Sequence, residues 1–498
     1  MRHRFIRLSA FIILVAALSA IMTLGVVLVI GDRKADTNSY HTQWSIEMAY
    51  NWTHCGRFSE LKEIGGVGDR FQNPPNPHYT PLNELVTVGT GYGSVEKYCS
   101  GSFSSARNGD SSLTYLFAAV MAVFPNVSAN RLFLSLTFVM MACFVVFGLA
   151  VARAFRSALV LGAALLFGIA LYAVVSIDQY LSTRVFMWPP LLMIVGLLAL
   201  TFRARLYERM VPHALIMLTA GFLGAFVFNM RASLVLHVIM MLFVYAVFVV
   251  MARGGVERQK RWRARAAAVA TILVGVALGI WLHHFALISP MASIQSRDLT
   301  HHSFAHPVVI GLAKPPNGLA EREGIRWEDR VGDKIAQRED PGALQSWERV
   351  ESALWQYYVG LWRAHPWEML KLYARKGHEA GKGEVQYLKS VVVGWLSPFS
   401  VILSGYYIAG AMVLTGVISS VAARDRWSPK QLLVWTLIAL ALAEYFESAV
   451  VFPQFSLYFP VLIYVLVFLS AFVWSVLEFK FLPKPLAAWR ERVMNAVS

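Results

Sequence analysis

The chain has 498 residues, of which 57% are hydrophobic and 15% charged, and its mean hydropathy is +0.51. A soluble domain carries about 25% charged residues, so a soluble globular protein is excluded. The formal net charge is +15. The polar segments 31–111 and 289–390 carry −2 and +1 of it, so the excess lies in short connections and tails. That distribution is a topology signal and argues against a nucleic-acid partner.

The first apolar run, 9–30, follows a basic amino terminus, Met-Arg-His-Arg-Phe-Ile-Arg. It exceeds the usual core of a signal peptide, and we read it as an uncleaved span running outward, although Ala-Leu-Ser-Ala at 17–20 resembles a cleavage site. Further apolar runs lie at 132–152, 158–177, 186–202, 212–229, 233–252, 266–288, 391–421, 430–450 and 456–478. Basic clusters follow alternate runs: Arg153/Arg156, Arg203/Arg205/Arg209, Arg253–Arg265, Arg424/Arg426/Lys430 and Lys480–Arg492. With each cluster cytoplasmic, the expected fold is an all-α polytopic membrane protein of about ten transmembrane helices. Residues 31–111 and 289–390 are then extracytoplasmic. The stretch 112–125 is apolar but too short to span, and is expected to lie on the outer surface.

Segment 31–111 reads as short helices and turns without a core of its own. It holds Cys55 and Cys99, which a disulfide would pair in an oxidising compartment or which stay as two thiols. In the second segment, Lys314-Pro-Pro-Asn-Gly reads as a turn. Helical periodicity follows from about 343 to 378, with Trp347, Val350, Leu354, Tyr357, Tyr358 and Leu361 on one stripe and a restart at His365-Pro366. The repeated Trp and Tyr suit a helix pair at headgroup level.

One basic-flanked span, a long acid-bearing outer loop, a short surface helix and closely spaced spans come in that order. The chain thereby resembles the GT-C type of membrane glycosyltransferase, especially bacterial relatives of protein O-mannosyltransferases and of the lipid A aminoarabinose transferase. The motifs that carry the resemblance are Asp36-Thr-Asn-Ser-Tyr40, Ser111-Ser-Leu-Thr-Tyr115, Phe124-Pro and Arg131-Leu132. Thr37 stands where the family pattern has a second acid, and Ser111 and Ser112 stand where it has prolines. The resemblance divides the chain into a transmembrane module at 1–290, an extracytoplasmic subdomain at 291–390, and carboxy-terminal helices with a basic tail at 391–498.

The resemblance implies a polyprenyl-phosphate sugar donor, a glycan, lipid or protein acceptor, and an active site on the outer side of the bacterial cytoplasmic membrane. Inverting transfer needs a carboxylate to take the acceptor's hydroxyl proton. Asp36 is the expected base, and Asp178 the second candidate acid. The lipid phosphate needs cations: Arg231 first, then Arg184, Lys314 and Arg326. Tyr40, His301 and His306 are expected donor or substrate contacts. The histidines show no zinc spacing, and a divalent cation stays open as a cofactor. His283, His284, Glu444 and Glu447 are further polar residues at span ends, the two acids either functional or facing water at the interface. Competing readings are an O-antigen ligase or polymerase and a transporter of lipid-linked saccharide.

Overall fold

The computed structural model describes residues 2–30, 40–56, 59–61, 94–100, 103–105, 111–155, 186–230, 234–252, 258–288, 305–345, 347–382 and 427–451, with isolated positions in 161–172 and at 414 and 417. Helices dominate. In chain order they are α1 (Arg2–Ile30), α2 (Tyr40–Cys55), α3 (Val95–Cys99), α4 (Ser111–Val123), α5 (Ala129–Phe155), α6 (Trp188–Arg203), α7 (Met210–Met230), α8 (Val235–Ala252) and α9 (Arg258–His283), which ends in a π turn, His284–Ile288. The second segment holds α10 (Ala305–Ile310), α11 (Gly318–Glu323), α12 (Asp329–Glu339), α13 (Trp347–Ala364) and α14 (Pro366–Lys382), and α15 (Pro429–Val450) follows.

Among the described residues, five helices are long and apolar enough to cross a membrane: Phe11–Leu28, Asn130–Phe155, Met210–Met230, Val235–Ala252 and Trp262–Leu287. The chain is a helical membrane protein. The run at 186–202 forms α6, only 16 residues long and therefore about 24 Å, but its side chains are almost all buried. An apolar helix enclosed by neighbours need not match the bilayer thickness. The runs at 158–177, 391–421 and 456–478 fall wholly or largely outside the described residues.

Ring contacts tie the ends of several helices together. Lys430 lies 5.4 Å above the Phe155 ring, Phe248 packs edge-on to Trp427 at 5.2 Å, and Phe202 meets Phe248 at 5.9 Å. The ends bearing Arg153, Arg203 and Lys430 therefore share one face. α7 and α9 run parallel, with Gly275 against Met217 and Gly279 against Phe222, so Arg209 and the basic start of α9 sit at matching ends.

The described residues of the first segment depart from the expected helices and turns. The segment contains a two-stranded antiparallel ribbon, β1 (Ser59–Leu61) with β2 (Phe103–Ser105), in which Glu60 faces Ser104. Cys55 and Cys99 form a disulfide with Cα atoms 5.2 Å apart, and Tyr98 donates to Asn51 Oδ1 at 2.7 Å. Its buried residues Ile46, Met48, Tyr50 and Tyr98 belong to the same apolar cluster as the spans. The Tyr50 hydroxyl is fully enclosed, and burial raises its pKa to about 12. Helix α4 packs on α2, α5, α7 and the π turn of α9, and its Leu113, Phe117 and Met121 are buried. Val123 and Phe124 stay exposed.

The second segment has its own core, built from Ala305, Val309, Leu312, Leu319, Ile335, Leu354, Leu361 and Met369. The aromatic stripe was expected against the membrane, and the structure corrects this. Tyr357 is buried, Trp362 stacks on Tyr373 at 5.7 Å, and the Tyr358 and Tyr373 hydroxyls are 2.8 Å apart. A stripe at spacings of three and four needs an apolar partner, and here α12 and α14 supply it. Trp367, at 73% exposure, faces outward from this core. The turn at 314–318 does form, and Asn317 caps α11 by accepting from Ala320 N–H at 2.9 Å.

Loss of the disulfide is expected to weaken the first segment. Cys55 and Cys99 are 44 residues apart, and closing such a loop is worth about 4 kcal/mol in a chain-entropy treatment. Cys99→Ser should lower the melting temperature of the purified protein, and reductant should then cause no further drop.

Candidate functional site

Ionisable groups buried inside a membrane protein are costly and mark sites by default. Such a group lies where α6, α8 and α15 meet. His237, in the first turn of α8, is 0% exposed. Glu444 and Glu447 lie three residues apart on the last turns of α15 and are 0% and 5% exposed. Glu444 Oε2 is 3.3 Å from His237 Nε2, and Glu447 Oε2 is 4.0 Å from Nδ1. The alternative of two acids facing water at an interface is therefore overturned: both face the imidazole.

The start of α6 reaches the same place. Trp188, the first residue of α6, presents its ring edge-on to His237 at 5.9 Å, and its buried Nε1 has no hydrogen-bond partner among the described residues. Separately, Asn229 at the end of α7 is buried and donates to Ala225 O of its own helix at 2.9 Å.

The neighbouring end of α15 is held by a second buried ion. Lys376 of α14 is 0% exposed and donates to the carbonyls of Val450 (2.6 Å), Val451 (3.2 Å) and Gly311 (3.0 Å). Gly311 approaches so closely that a Cβ there would strike the Val451 carbonyl. Three acceptors match the three N–H of an ammonium, and two of them terminate a helix whose dipole favours a cation. Burial acts in the opposite direction, pushing the ammonium pKa down to about 7. Tyr445 adds a hydrogen bond to Gly377 O at 2.8 Å, so α14 and α15 are joined at two points.

Of the residues expected from sequence, Asp36, Asp178, Arg184, Arg231 and His301 lie outside the described residues. Tyr40 is the first residue of α2. His306 is half-buried in α10 with its ring against Gly332, where any Cβ would collide with it. Lys314 is half-buried in the turn before α11, and Arg326 is exposed after it. These three occupy separate elements of the second segment. His283 does not line an opening: it is buried between Phe222 and Phe226, 5.3 and 6.2 Å away, while His284 is exposed. Tyr115, from the surface-helix motif, packs on Trp52 at 5.9 Å, and the Ser128 hydroxyl accepts from Arg131 N–H at the start of α5.

His237 and Lys376 were not singled out from the sequence. His237 had a signal, an imidazole inside the apolar run 233–252. Lys376 had none, being one of many cations on an amphipathic helix. Among the described residues no three His, Cys, Asp or Glu side chains converge as metal ligands.

Comparison with protein-family models, with curated proteins and with solved structures gives no match.

Proposed function

We propose that this chain is a glycosyltransferase of the bacterial cytoplasmic membrane. It moves a sugar from a polyprenyl-phosphate donor to an extracytoplasmic glycan, lipid or protein, with Asp36 as general base. The observation that carries the reading is the layer built on one end of the helical bundle. α1 leads through residues 31–39, which contain Asp36, into α2. α2 is braced by the Cys55–Cys99 disulfide and packs on α4, which lies across α7 and the end of α9. A rigid layer beside a span is what a transferase needs to meet a lipid-borne donor, because the reacting centre must be held within a fraction of an ångström.

In this reading the Asp36 carboxylate takes the proton from the acceptor hydroxyl as that oxygen attacks the anomeric carbon. The bond from the anomeric carbon to the phosphate oxygen breaks, and the lipid phosphate leaves with its electron pair. Arg231, between α7 and α8 in the sequence, offers a fork for the phosphate oxygens, with Arg184, Lys314 and Arg326 as further cations. Asp178 is the second candidate catalytic acid, and Tyr40, His301 and His306 are assigned to substrate contact.

Asp36→Asn keeps the size of the side chain and removes the base. Transfer from a lipid-linked sugar should fall by roughly 10²- to 10⁴-fold, the usual contribution of a general base, with expression and membrane insertion unchanged. Full activity of that variant would remove Asp36 from the mechanism.

A further inference from the structure

The connection from α6 to α7 and the start of α9 bring cations together at one end of the bundle. Residues 203–209 and 253–265 hold nine arginines and lysines against two acids, Glu208 and Glu257. On α9, Arg265, Ala268, Ile272, Gly275 and Gly279 recur at spacings of three and four, so they share one helix face. Gly275 and Gly279 on that face lie against Ala214, Met217 and Phe222 of the parallel α7. Two turns back from Gly275, Ala268 comes level with the start of α7 at Met210. Arg265, one turn further, therefore projects over that start and stands level with residues 205–209.

The connection is a fixed element. Tyr207 is buried and stacks on Phe202 at 5.2 Å, Arg205 takes a left-handed backbone with φ 50°, and Arg209 N–H donates to Leu206 O at 3.0 Å. Arg205, Arg209 and Arg263 are exposed. The Nε of Arg265 is buried and has no hydrogen-bond partner among the described residues, and the other three arginines form no ion pair among them. These cations also sit at the wrong pole of α7, whose first turn carries no acid, because a helix start repels positive charge. Marking one side of the membrane needs cations in a loop, but it does not need Arg265 packed over a helix start. Glu208 supplies a single negative charge, so the balance calls for an anion.

α7 has 21 residues and is about 31 Å long, so its start lies where the hydrocarbon layer ends. A guanidinium fork binds two oxygens of a phosphate at once. Val211 and Leu215 are exposed and one turn apart just inside the arginines, and the exposed Trp262 indole suits headgroup level. We propose that Arg205, Arg209, Arg263 and Arg265 bind the phosphate of an anionic phospholipid whose acyl chains run along Val211 and Leu215. A soluble phosphate would use the cations and leave that apolar surface uncovered.

The test is native mass spectrometry of the full chain in detergent micelles containing phosphatidylglycerol and phosphatidylcholine of the same acyl length. Wild type should retain phosphatidylglycerol in preference by about tenfold or more. Arg209→Gln and Arg265→Gln should each weaken that retention about fivefold, and the double variant about twenty-fivefold. Arg363→Gln removes an exposed cation of α13 in the second segment and should keep the wild-type preference. Glycerol phosphate, the soluble headgroup fragment, should not displace the lipid. No preference in wild type, an unchanged preference in the double variant, or an equal loss in Arg363→Gln would each overturn the proposal. Displacement by glycerol phosphate would assign the site to a soluble phosphate and overturn it too. If the glutamine variants fail to insert, the wild-type comparison decides alone. The readout needs no sugar transfer, so it succeeds or fails separately from the transferase reading.

Discussion

Gly279→Val is expected to unfold the protein at a markedly lower temperature, because it forces apart the parallel pair α7 and α9. A Cβ at Gly279 would land on the Leu218 carbonyl and 2.6 Å from Phe222 N. A Cβ at Gly221 would strike the Val276 carbonyl, and one at Gly275 would lie 2.5 Å from Met217 Cβ and 3.1 Å from Ala214 O. These neighbours are mostly backbone, which cannot rotate out of the way as a side-chain tip can. In lipid no hydrophobic force drives helices together, so close backbone approach across small residues is itself the source of association. Overpacking such a contact costs about 3 kcal/mol, at the upper end of the usual range. The comparison variant is Gly360→Ala, since nothing lies within 4 Å of the position a Cβ would take there. It should be neutral or slightly stabilising. Equal melting temperatures for Gly279→Val and wild type in detergent would refute the packing role.

Lys376→Met is the second large effect. Methionine fills a similar volume but leaves the carbonyls of Gly311, Val450 and Val451 without their donor. Hydrogen bonds to a charged donor are each worth about 1.5–3 kcal/mol, offset in part by no longer burying the ammonium. A net loss on the order of 3 kcal/mol is expected. Because the clamp joins a segment with a separate core to α15, the loss should be local. Limited proteolysis should cut between the second segment and the span region sooner in the variant than in wild type. Lys376→Arg restores charge but brings a planar fork to a site shaped for a compact ammonium, and should rescue only in part. Unchanged proteolysis in Lys376→Met would show that the clamp carries no docking energy.

What was legible from sequence followed from periodicity and charge. The spans at 9–30, 132–152, 212–229, 233–252 and 266–288 were readable because each is a long apolar run closed by basic residues. A helix over 112–125 too short to span was readable from 14 apolar residues between polar neighbours, and the structure has it as Ser111–Val123. The Gly275-Val-Ala-Leu-Gly279 spacing was visible but says nothing about its partner until α7 is placed alongside. The aromatic stripe of α13 was seen correctly and given the wrong neighbour, since amphipathicity reports an apolar partner without saying whether that partner is protein or lipid. The ribbon of β1 and β2 was missed because three residues per strand carry no period. The His237–Glu444 contact joins positions 207 residues apart, and no local pattern encodes such a pair. Asp36, Asp178 and Arg231 remain readings of the sequence, resting on residue type and their place beside span ends.

The central claim is that the chain consumes a polyprenyl-phosphate sugar. Its most direct measurement is turnover of such donors by the purified protein in proteoliposomes, followed as release of polyprenyl phosphate. Donors bearing several sugars, with envelope glycans and lipids offered as acceptors, cover the substrate class. Wild type should release polyprenyl phosphate with at least one donor, and Asp36→Asn should not. No turnover of any donor by folded wild-type protein, or equal turnover by the two, would contradict the account.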